Sequence, residues 1–279
     1  MTAPAPLRIE HGEAISWIVL DRPSAANAFN GALLDAFSDA LVQLETAGAP
    51  VVGVRGEGKG FSAGADLSEY NADATPVEDV ARLRRNLDRW LAMWRHPKPV
   101  ILAVHGFCMG ISAQMPCFAD LVLVAEDARI GEPGIPLGGG YVAPAWAHHV
   151  GARRAKELAF LPGNWVDGKT AVEWGWANAA VPAGELIACA EALAARMAMI
   201  PAPVLTIKKQ SINRAMEAQG FLSAVNAVSE SDAILHLEPA VLAMRQRIAD
   251  EGLMDVVKHY RGESSTQIFN RFKKDPENG

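Results

Sequence analysis

The first half of this chain alternates short apolar runs with helical stretches, and this alternation constrains its fold more than any other feature. The runs are Ile15–Leu20, Val51–Val54, Val100–Val104 and Leu121–Ala125. Strand-like runs separated by helices are the pattern of βα units that stack parallel strands. The sequence therefore predicts an α/β fold.

Two of the segments between these runs carry apolar residues at helical spacing. The first helix is marked by Leu33, Leu34, Phe37, Leu41 and Leu44. The second is marked by Val80, Leu83, Leu87, Trp90, Leu91 and Trp94. Pro97 ends this second helix, because proline cannot continue one. We interpret these side chains as core residues rather than as ligand contacts.

Two glycine-bearing turns follow strand-like runs. One is the run 59–67, with Gly60 and Gly64, and the other is the run 106–111, with Gly106 and Gly110. Small residues let backbone N–H groups approach a ligand closely. Two such groups pointing at one carbonyl oxygen form an oxyanion hole, worth roughly 3–4 kcal/mol per donor in acyl chemistry. The turns indicate an enzyme that works on a thioester or an enolate.

The turn Phe61–Leu67 resembles the acyl-CoA-binding turn of the crotonase superfamily, the enoyl-CoA hydratase/isomerase group. Four further blocks agree in the same order: Leu20–Phe29, Lys98–Ala125, Val150–Leu158 and Ala171–Asn178. The resemblance implies a core of stacked ββα units with a C-terminal helical subdomain. It also implies an acyl-CoA thioester as substrate, with CoA entering as part of that substrate and no separate cofactor.

The predicted division of the chain follows from this resemblance and from the change in pattern near residue 186. Residues 1–185 form the acyl-CoA-binding core, and residues 186–260 form a helical oligomerisation subdomain. Its predicted helices are Leu186–Met199, Pro203–Met216, Phe221–Leu237 and Ala240–Tyr260. Such a subdomain implies a homotrimer or a dimer of trimers. Residues 261–279 are polar and are either a subunit-contacting arm or disordered.

The resemblance assigns the oxyanion donors to the amides of Ala65 and Ile111. Ile111 replaces the usual glycine, which narrows the hole without removing the donor. The implied substrate-binding residues are Arg22, Ala26, Ala28, Ala63, Ala65, Asp66, Leu67, Ser68, Gly110 and Ile111. A second interpretation of Asp66 is that its side chain caps a helix that begins there.

Hydratases of this group use two glutamates, and by position these fall on Gln114 and Gly134. Neither residue can ionise, so most ordinary hydratase activity should be lost. Three substitutes are open: Glu132 as the base, Tyr141 as a proton donor, or a bound anion. The leading hypothesis is an acyl-CoA-processing lyase or isomerase with atypical acid–base residues. The alternatives are a catalytically silent acyl-CoA-binding protein and a structural subunit supporting an active relative.

Composition limits the other functions. The net charge of −6 speaks against nucleic acid as a partner, because phosphate binding draws on clustered Lys and Arg. No stretch approaches the ~20 apolar residues of a membrane span, and the first twelve residues lack an apolar signal core, so we expect a cytoplasmic chain. Cys108, Cys117 and Cys189 fit no paired spacing, which predicts buried, reduced thiols and no metal site.

Overall fold

The computed structural model describes residues 5–69, 74–132, 135, 137–138 and 143–273. These residues form nine strands, thirteen α-helices and four short 3-10 helices. The strands are β1 (Leu7–His11), β2 (Ile15–Leu20), β3 (Val51–Gly56), β4 (Val100–Val104), β5 (Phe107–Met109), β6 (Leu121–Ala125), β7 (Arg129–Gly131), β8 (Trp165–Val166) and β9 (Ala179–Val181). The 3-10 helices are Pro23–Ala25, Leu67–Glu69, Met115–Phe118 and Ala183–Glu185.

The helices of the core precede residue 186, and those of the C-terminal part follow it. The former are α1 (Gly31–Thr46), α2 (Pro76–Arg95), α3 (Ile111–Gln114), α4 (Ala143–Val150), α5 (Ala152–Phe160) and α6 (Gly168–Trp174). The latter are α7 (Leu186–Ala198), α8 (Ala202–Ala218), α9 (Phe221–Asn226), α10 (Val228–Leu235), α11 (Pro239–Glu251), α12 (Leu253–Tyr260) and α13 (Ser265–Phe272).

Two sheets build the core. The larger has the order β1-β2-β3-β4-β6-β9, in which β1 pairs antiparallel with β2 and every other pair is parallel. The smaller has the order β5-β7-β8, and β5 runs parallel to β7. Strands β4 and β6 each lie in the large sheet and are each followed by a strand of the small sheet and then a helix. This repeat is the stacked ββα arrangement, so the predicted α/β class is confirmed.

The four predicted apolar runs are strands of the large sheet, and their side chains are almost all buried. Strands β5, β7, β8 and β9 were not predicted, because segments of two or three residues are too short to show a period. The predicted apolar stripes of α1 and α2 also pack in the core, including Trp90 and Trp94. Asn30 caps α1, and Thr75 with Glu78 forms a capping box at the start of α2.

Two predictions of a single C-terminal helix were wrong, because each of these segments forms two helices. The segment 221–237 is divided at Ala227 into α9 and α10, and α9 packs Phe221 against Trp94 and Phe118. The segment 240–260 breaks at Gly252, whose φ of +88° is incompatible with a continuous helix. Disorder was also wrong for much of the polar C-terminal arm, since α13 lies there with a capping box at Ser264.

Helix α7 packs on the face of the large sheet opposite to α1 and α2. Leu186, Ala190 and Ala194 are buried against Ile15 and Trp17 of β2 and against neighbouring strands. Within the described ranges no single helix has the length and hydropathy of a membrane span, and one pair, 183–198 with 202–218, reaches them only jointly across a bend of 108°. The predicted domain division at residue 186 stays a prediction.

A buried lysine fastens α8 to the core. Lys209 Nζ lies 2.7 Å from Asp120 Oδ2 and donates to the carbonyl oxygens of Met93 at 2.9 Å and Lys98 at 3.3 Å. Burial lowers the pKa of Lys209 and raises that of Asp120, while their mutual attraction opposes both shifts. The ion pair and the hydrogen bonds to the two carbonyl groups therefore offset the desolvation energy of both charges. Removing one partner would leave the other charge buried without compensation.

Lys209→Met is expected to lower the free energy of unfolding by about 3 kcal/mol, because Asp120 and two carbonyl groups lose their donor. Denaturant unfolding followed by circular dichroism measures the change. The matched control is Lys208→Met, which removes the same charge at the adjacent exposed position and should change stability by less than about 0.5 kcal/mol. Equal stability of the two variants would contradict this account.

Candidate active site

The first glycine-bearing turn is held by the loop that precedes α1. Phe29 N donates to Gly64 O at 2.7 Å, and Asp66 N donates to Phe29 O at 3.0 Å, so Phe29 and Ala65 form an isolated parallel bridge. In a parallel bridge the residue between the two bonded positions directs its own N–H away from the partner. The Ala65 amide is thus on the side away from Phe29.

The second turn runs beside the first. Ser62 N donates to Phe107 O at 3.2 Å, and Met109 N donates to Ser62 O at 3.1 Å. Gly110, with a φ of +59°, then turns the chain into α3, whose first residue is Ile111. The first amides of a helix have no acceptor within it. The Ile111 amide is therefore a donor without an internal partner.

The two turns approach so closely that only glycine fits at position 64. A Cβ atom added to Gly64 would lie 2.6 Å from Met109 O and 3.6 Å from Ile111 N, and the φ of +99° also favours glycine. Among the described residues, neither the Ala65 nor the Ile111 amide has a hydrogen-bond acceptor. Ala65 is exposed and Ile111 is partly exposed. Two N–H donors, on residues that are exposed or partly exposed, thus lie at one junction of the two turns.

A buried polar network that the sequence reasoning missed fixes this junction. Ser62 Oγ donates to Asn27 O at 2.8 Å and accepts from Gly64 N at 3.1 Å. Ser112 Oγ lies 2.8 Å from Ser62 O and 2.7 Å from Met109 O, so it spans both turns. Asn27 Nδ2 contacts the carbonyl oxygens of Glu57 and Gly60 at 2.8 and 3.1 Å. Asn27 also has a positive φ of 52°, a conformation that could not be predicted from the sequence alone.

Glu132 lies next to the second turn because β7 runs alongside β5. Met109 pairs with Gly131, and Gly110 N donates to Gly131 O at 2.8 Å, so the chain reaches Glu132 directly beside Gly110 and Ile111. Gln114, the last residue of α3, is only 3% exposed. The Glu132 side chain is hydrogen-bonded to that of Gln114.

Burial raises the pKa of Glu132, the hydrogen bond from Gln114 opposes this shift, and the negative charge of Asp232 adds to it. Glu132 nevertheless keeps part of its surface accessible. A carboxyl group that is desolvated yet partly accessible, with a pKa above the ordinary value, is suited to take up and return a proton. Gln114 Oε1 is buried and has no hydrogen-bond partner in the part of the chain that the structure describes.

Comparison with known proteins decides the family. The sequence model described as "Enoyl-CoA hydratase/isomerase" matches residues 10–231 of this chain. The chain belongs to the enoyl-CoA hydratase/isomerase family. A crystal structure of an enoyl-CoA hydratase/isomerase from Novosphingobium aromaticivorans is 58% identical to it, with a TM-score of 0.94, and the match covers 96% of this chain and 100% of the other. The predicted membership of the crotonase superfamily is thereby confirmed.

Family relatives with more specific names differ in the reactions that those names describe. The 1,2-epoxyphenylacetyl-CoA isomerase of Escherichia coli is 34% identical over 215 residues, which are 73% of this chain and 80% of that protein. The hydroxycinnamoyl-CoA hydratase-lyase of Pseudomonas fluorescens is 31% identical over 190 residues, 64% of this chain and 68% of that protein. This enoyl-CoA hydratase/isomerase family member therefore has similarity to isomerases and lyases alike.

The other substrate-binding residues predicted for this family member lie on the rim of the first turn. Ala63, Leu67 and Ser68 are exposed, and Ala26 and Ala28 are partly exposed. Ala63 N donates to Ala26 O at 3.0 Å, which ties the predicted loop to the predicted turn. These positions come together around Ala65.

Arg22 and Asp66 face each other on the same rim. Arg22 Nη2 lies 3.0 Å from Asp66 Oδ2, and Arg22 Nη1 donates to Ala28 O. Asp66 Oδ1 accepts from Ser68 N at 3.2 Å and Ser68 Oγ at 2.6 Å, as a cap of the 3-10 helix that follows. Burial opposes ionisation of Asp66, but the hydrogen bonds from Ser68 and Arg22 keep its pKa below the ordinary value. The capping role of Asp66 is confirmed.

Two of the predicted catalytic residues of this family member, Gly134 and Tyr141, lie outside the described residues. The thiols of Cys108 and Cys117 are buried, and burial raises the pKa of Cys108 to about 12, so neither thiol is a nucleophile at neutral pH. Cys189 is only partly buried, which corrects the prediction that all three thiols are buried. Over the described ranges no cluster of His, Cys, Asp or Glu has the arrangement of a metal site.

Proposed function

We propose that this chain is an acyl-CoA-processing enzyme that forms a thioester enolate, with the Ala65 and Ile111 amides as the oxyanion hole and Glu132 as the acid–base group. The observation that carries the proposal is the pair of amides beside Glu132 for which the described residues supply no acceptor. Each such donor contributes roughly 3–4 kcal/mol to stabilising an oxyanion. Family membership supports an acyl-CoA thioester as the substrate.

The proposed step removes a proton from the carbon next to the thioester carbonyl. The C–H bond breaks, the proton goes to the Glu132 carboxylate, and the electron pair moves into the carbonyl group to give the enolate. The negative charge then lies on the oxygen that accepts from the Ala65 and Ile111 amides. Return of the proton to a carbon of the enolate completes an isomerisation, and loss of a group from the enolate completes a lyase reaction.

Gln114 is proposed to assist Glu132 without ionising. Its amide N–H donates to the Glu132 side chain, and its Oε1 remains a buried acceptor without a partner among the described residues. A buried acceptor left unpaired is costly, so Oε1 is suited to a water molecule or a substrate hydroxyl that donates to it. This arrangement keeps a polar group at position 114 while a single carboxyl group carries the proton.

The experiment that tests the function uses pure protein in D₂O with crotonyl-CoA, longer enoyl-CoAs, malonyl-CoA and β-ketoacyl-CoAs. Mass spectrometry of the thioesters is expected to detect deuterium at the α-carbon or a new product from at least one of them. The substrate that reacts identifies which bond is made or broken. Thioesters that bind but remain unchanged throughout would contradict the proposal.

The second candidate is a catalytically silent acyl-CoA-binding protein, favoured by one observation: neither Gln114 nor Gly134 can ionise. The double variant Gln114→Glu, Gly134→Glu distinguishes the two candidates. If the natural protein is a silent binder, it turns over none of the thioesters, and the double variant gains hydration activity at unchanged CoA affinity. Deuterium exchange by the natural protein excludes this candidate.

We also propose that the chain assembles as a homotrimer or a dimer of trimers. Most of the exposed large apolar side chains among the described residues lie beyond residue 198, including Met199, Ile207, Ile212, Ile234 and Phe272. Exposed apolar residues concentrated in one part of a chain are typical of an interface between subunits. Light scattering after size-exclusion chromatography tests the proposal, and a monomeric mass would contradict it.

A further inference from the structure

The peptide group that joins Gly131 to Glu132 is held by a hydrogen bond on each side. Gly110 N donates to Gly131 O at 2.8 Å, and Glu132 N donates to Asn164 O at 3.1 Å. The first bond comes from the turn that bears the Ile111 amide, and the second comes from the residue that precedes β8. The backbone position of Glu132 therefore depends on Asn164 as well as on the second glycine-bearing turn.

Strands β7 and β8 approach so closely at this point that only glycine fits at position 131. A Cβ atom added to Gly131 would lie 2.1 Å from Asn164 O and 2.8 Å from Trp165 Cα. Gly131 also pairs with Trp165 in the antiparallel ladder. Because the two backbones are in contact, a displacement of Asn164 would be transmitted directly to Gly131 and Glu132.

The Asn164 side chain is buried, at 1% exposure, and its polar atoms bind two other segments of the chain. Nδ2 donates to Glu157 O in α5 at 2.9 Å and to Ser265 Oγ at 3.2 Å, and Oδ1 accepts from Ser265 N at 2.9 Å. Ser265 is the first residue of α13 and is also buried. The C-terminal arm thus makes two hydrogen bonds to the residue whose carbonyl oxygen binds the Glu132 amide.

Helix α13 has a cap of its own, so it does not need these two bonds in order to begin. Ser264 Oγ accepts from Gln267 N at 3.3 Å, and Gln267 Oε1 accepts from Ser264 N at 2.9 Å. The first amide of a helix has no acceptor within it, which leaves the Ser265 amide available to Asn164. The two bonds to Asn164 therefore fasten the start of α13 to the segment that supports Glu132.

We propose that Asn164 and Ser265 are positioning residues, which hold the backbone of Glu132 so that its carboxyl group stays beside the two oxyanion amides. The inference rests on the proposed function, because it assigns these residues an effect on the proposed acid–base group. It extends the site to the C-terminal arm, 101 positions beyond Asn164 in the sequence. A reacting group displaced by about 1 Å can lose roughly 10²-fold in rate, so a support remote from the reacting atoms affects the reaction.

Ser265→Pro tests the proposal, because proline is tolerated at the first position of a helix and removes both the amide hydrogen and the hydroxyl group that bind Asn164. The first measurement is hydrogen exchange of the Glu132 amide, followed by NMR in the ligand-free protein. The internal reference is the buried Val52 amide, which donates to Pro99 O at 2.9 Å. We expect protection of the Glu132 amide to fall about tenfold relative to that of Val52. Ser265→Ala, which removes only the hydroxyl group, should show a smaller fall if the proline variant does not fold.

The second measurement is deuterium exchange at the α-carbon of the reactive thioester. In Ser265→Pro we expect the rate at saturating thioester to fall by about tenfold or more at a little-changed KM, because the Ala65 and Ile111 amides remain in place. The matched control is Ala152→Pro, which introduces proline at the exposed first residue of α5. Both the Glu132 protection and the exchange rate of this control should equal those of the natural protein.

Unchanged Glu132 protection in folded Ser265→Pro, or an equal loss of protection at Glu132 and Val52, would overturn the proposal. A natural rate of deuterium exchange in a variant that has lost Glu132 protection would also overturn it. The hydrogen-exchange measurement uses no substrate, so it separates the two levels of the account. Lost Glu132 protection in Ser265→Pro, with no reaction of any thioester in the natural protein, would overturn the proposed function alone.

Discussion

Glu132→Gln is expected to slow deuterium exchange at the α-carbon by about 10²- to 10⁴-fold, the usual contribution of a general acid–base group. Glutamine preserves the size of the side chain and its ability to hydrogen-bond Gln114, but it cannot accept the proton. Acyl-CoA affinity should change little, because the proposed thioester contacts are made by the backbone of Ala65 and Ile111. The deuterium-exchange rate is measured at saturating thioester, and the acyl-CoA affinity is measured by calorimetry.

The control for this variant is Glu126→Gln. Glu126 follows β6, pairs with Lys169 on the surface at 2.9 Å, and has no proposed role. We expect exchange by this variant at the rate of the natural protein. Undiminished exchange in Glu132→Gln would contradict the assignment of Glu132 as the base and would leave Tyr141 or a bound anion as the group to test next.

Gly64→Ala is expected to reduce kcat/KM by about 10²- to 10³-fold, comparable to the loss of one oxyanion donor. The added Cβ atom would meet Met109 O at 2.6 Å, and both are attached to backbone that the buried serines hold in place. The two turns must therefore move apart, and the amides of Ala65 and Ile111 would no longer donate to the same oxygen atom. Steady-state kinetics on the reactive thioester measures the effect.

The strain of an alanine at positive φ needs its own control, because it destabilises the fold wherever it occurs. Gly220→Ala supplies it: Gly220 has a φ of +92°, close to the +99° of Gly64, and an added Cβ meets nothing within 4 Å. We expect Gly220→Ala to lower thermal stability but not kcat/KM. Equal kinetic losses in both variants would mean that strain, rather than the oxyanion geometry, limits activity.

The fold could be predicted because its main elements carry strong periodic signals. The four apolar runs are the four inner strands of the large sheet. Helices α1 and α2 bury the apolar side chains that their spacing indicated. The break at Gly252 could not be predicted with the same ease, since glycine inside a helical pattern is often tolerated. Its φ of +88° shows that here the glycine ends α11 instead.

The candidate site could be predicted only where the backbone supplies the chemistry. The turns that bear Ala65 and Ile111 were visible from their glycines. The contact of Glu132 with Gln114 depends on β7 lying beside β5, and three-residue strands leave no pattern to read. Outside this site, the hydrogen bond between Asp79 and His236 joins residues 157 positions apart, so only the folded arrangement of α2 and α10 brings them together.

The most direct test of the central claim is a crystal structure with an unreactive acyl-CoA analogue bound. The account predicts that the thioester oxygen lies within about 3.1 Å of both the Ala65 and Ile111 nitrogens. It also predicts that the Glu132 carboxyl group lies within about 3.5 Å of the α-carbon, the distance of a reactive approach. A thioester oxygen bonded elsewhere, or a Glu132 carboxyl group turned away from the α-carbon, would contradict it.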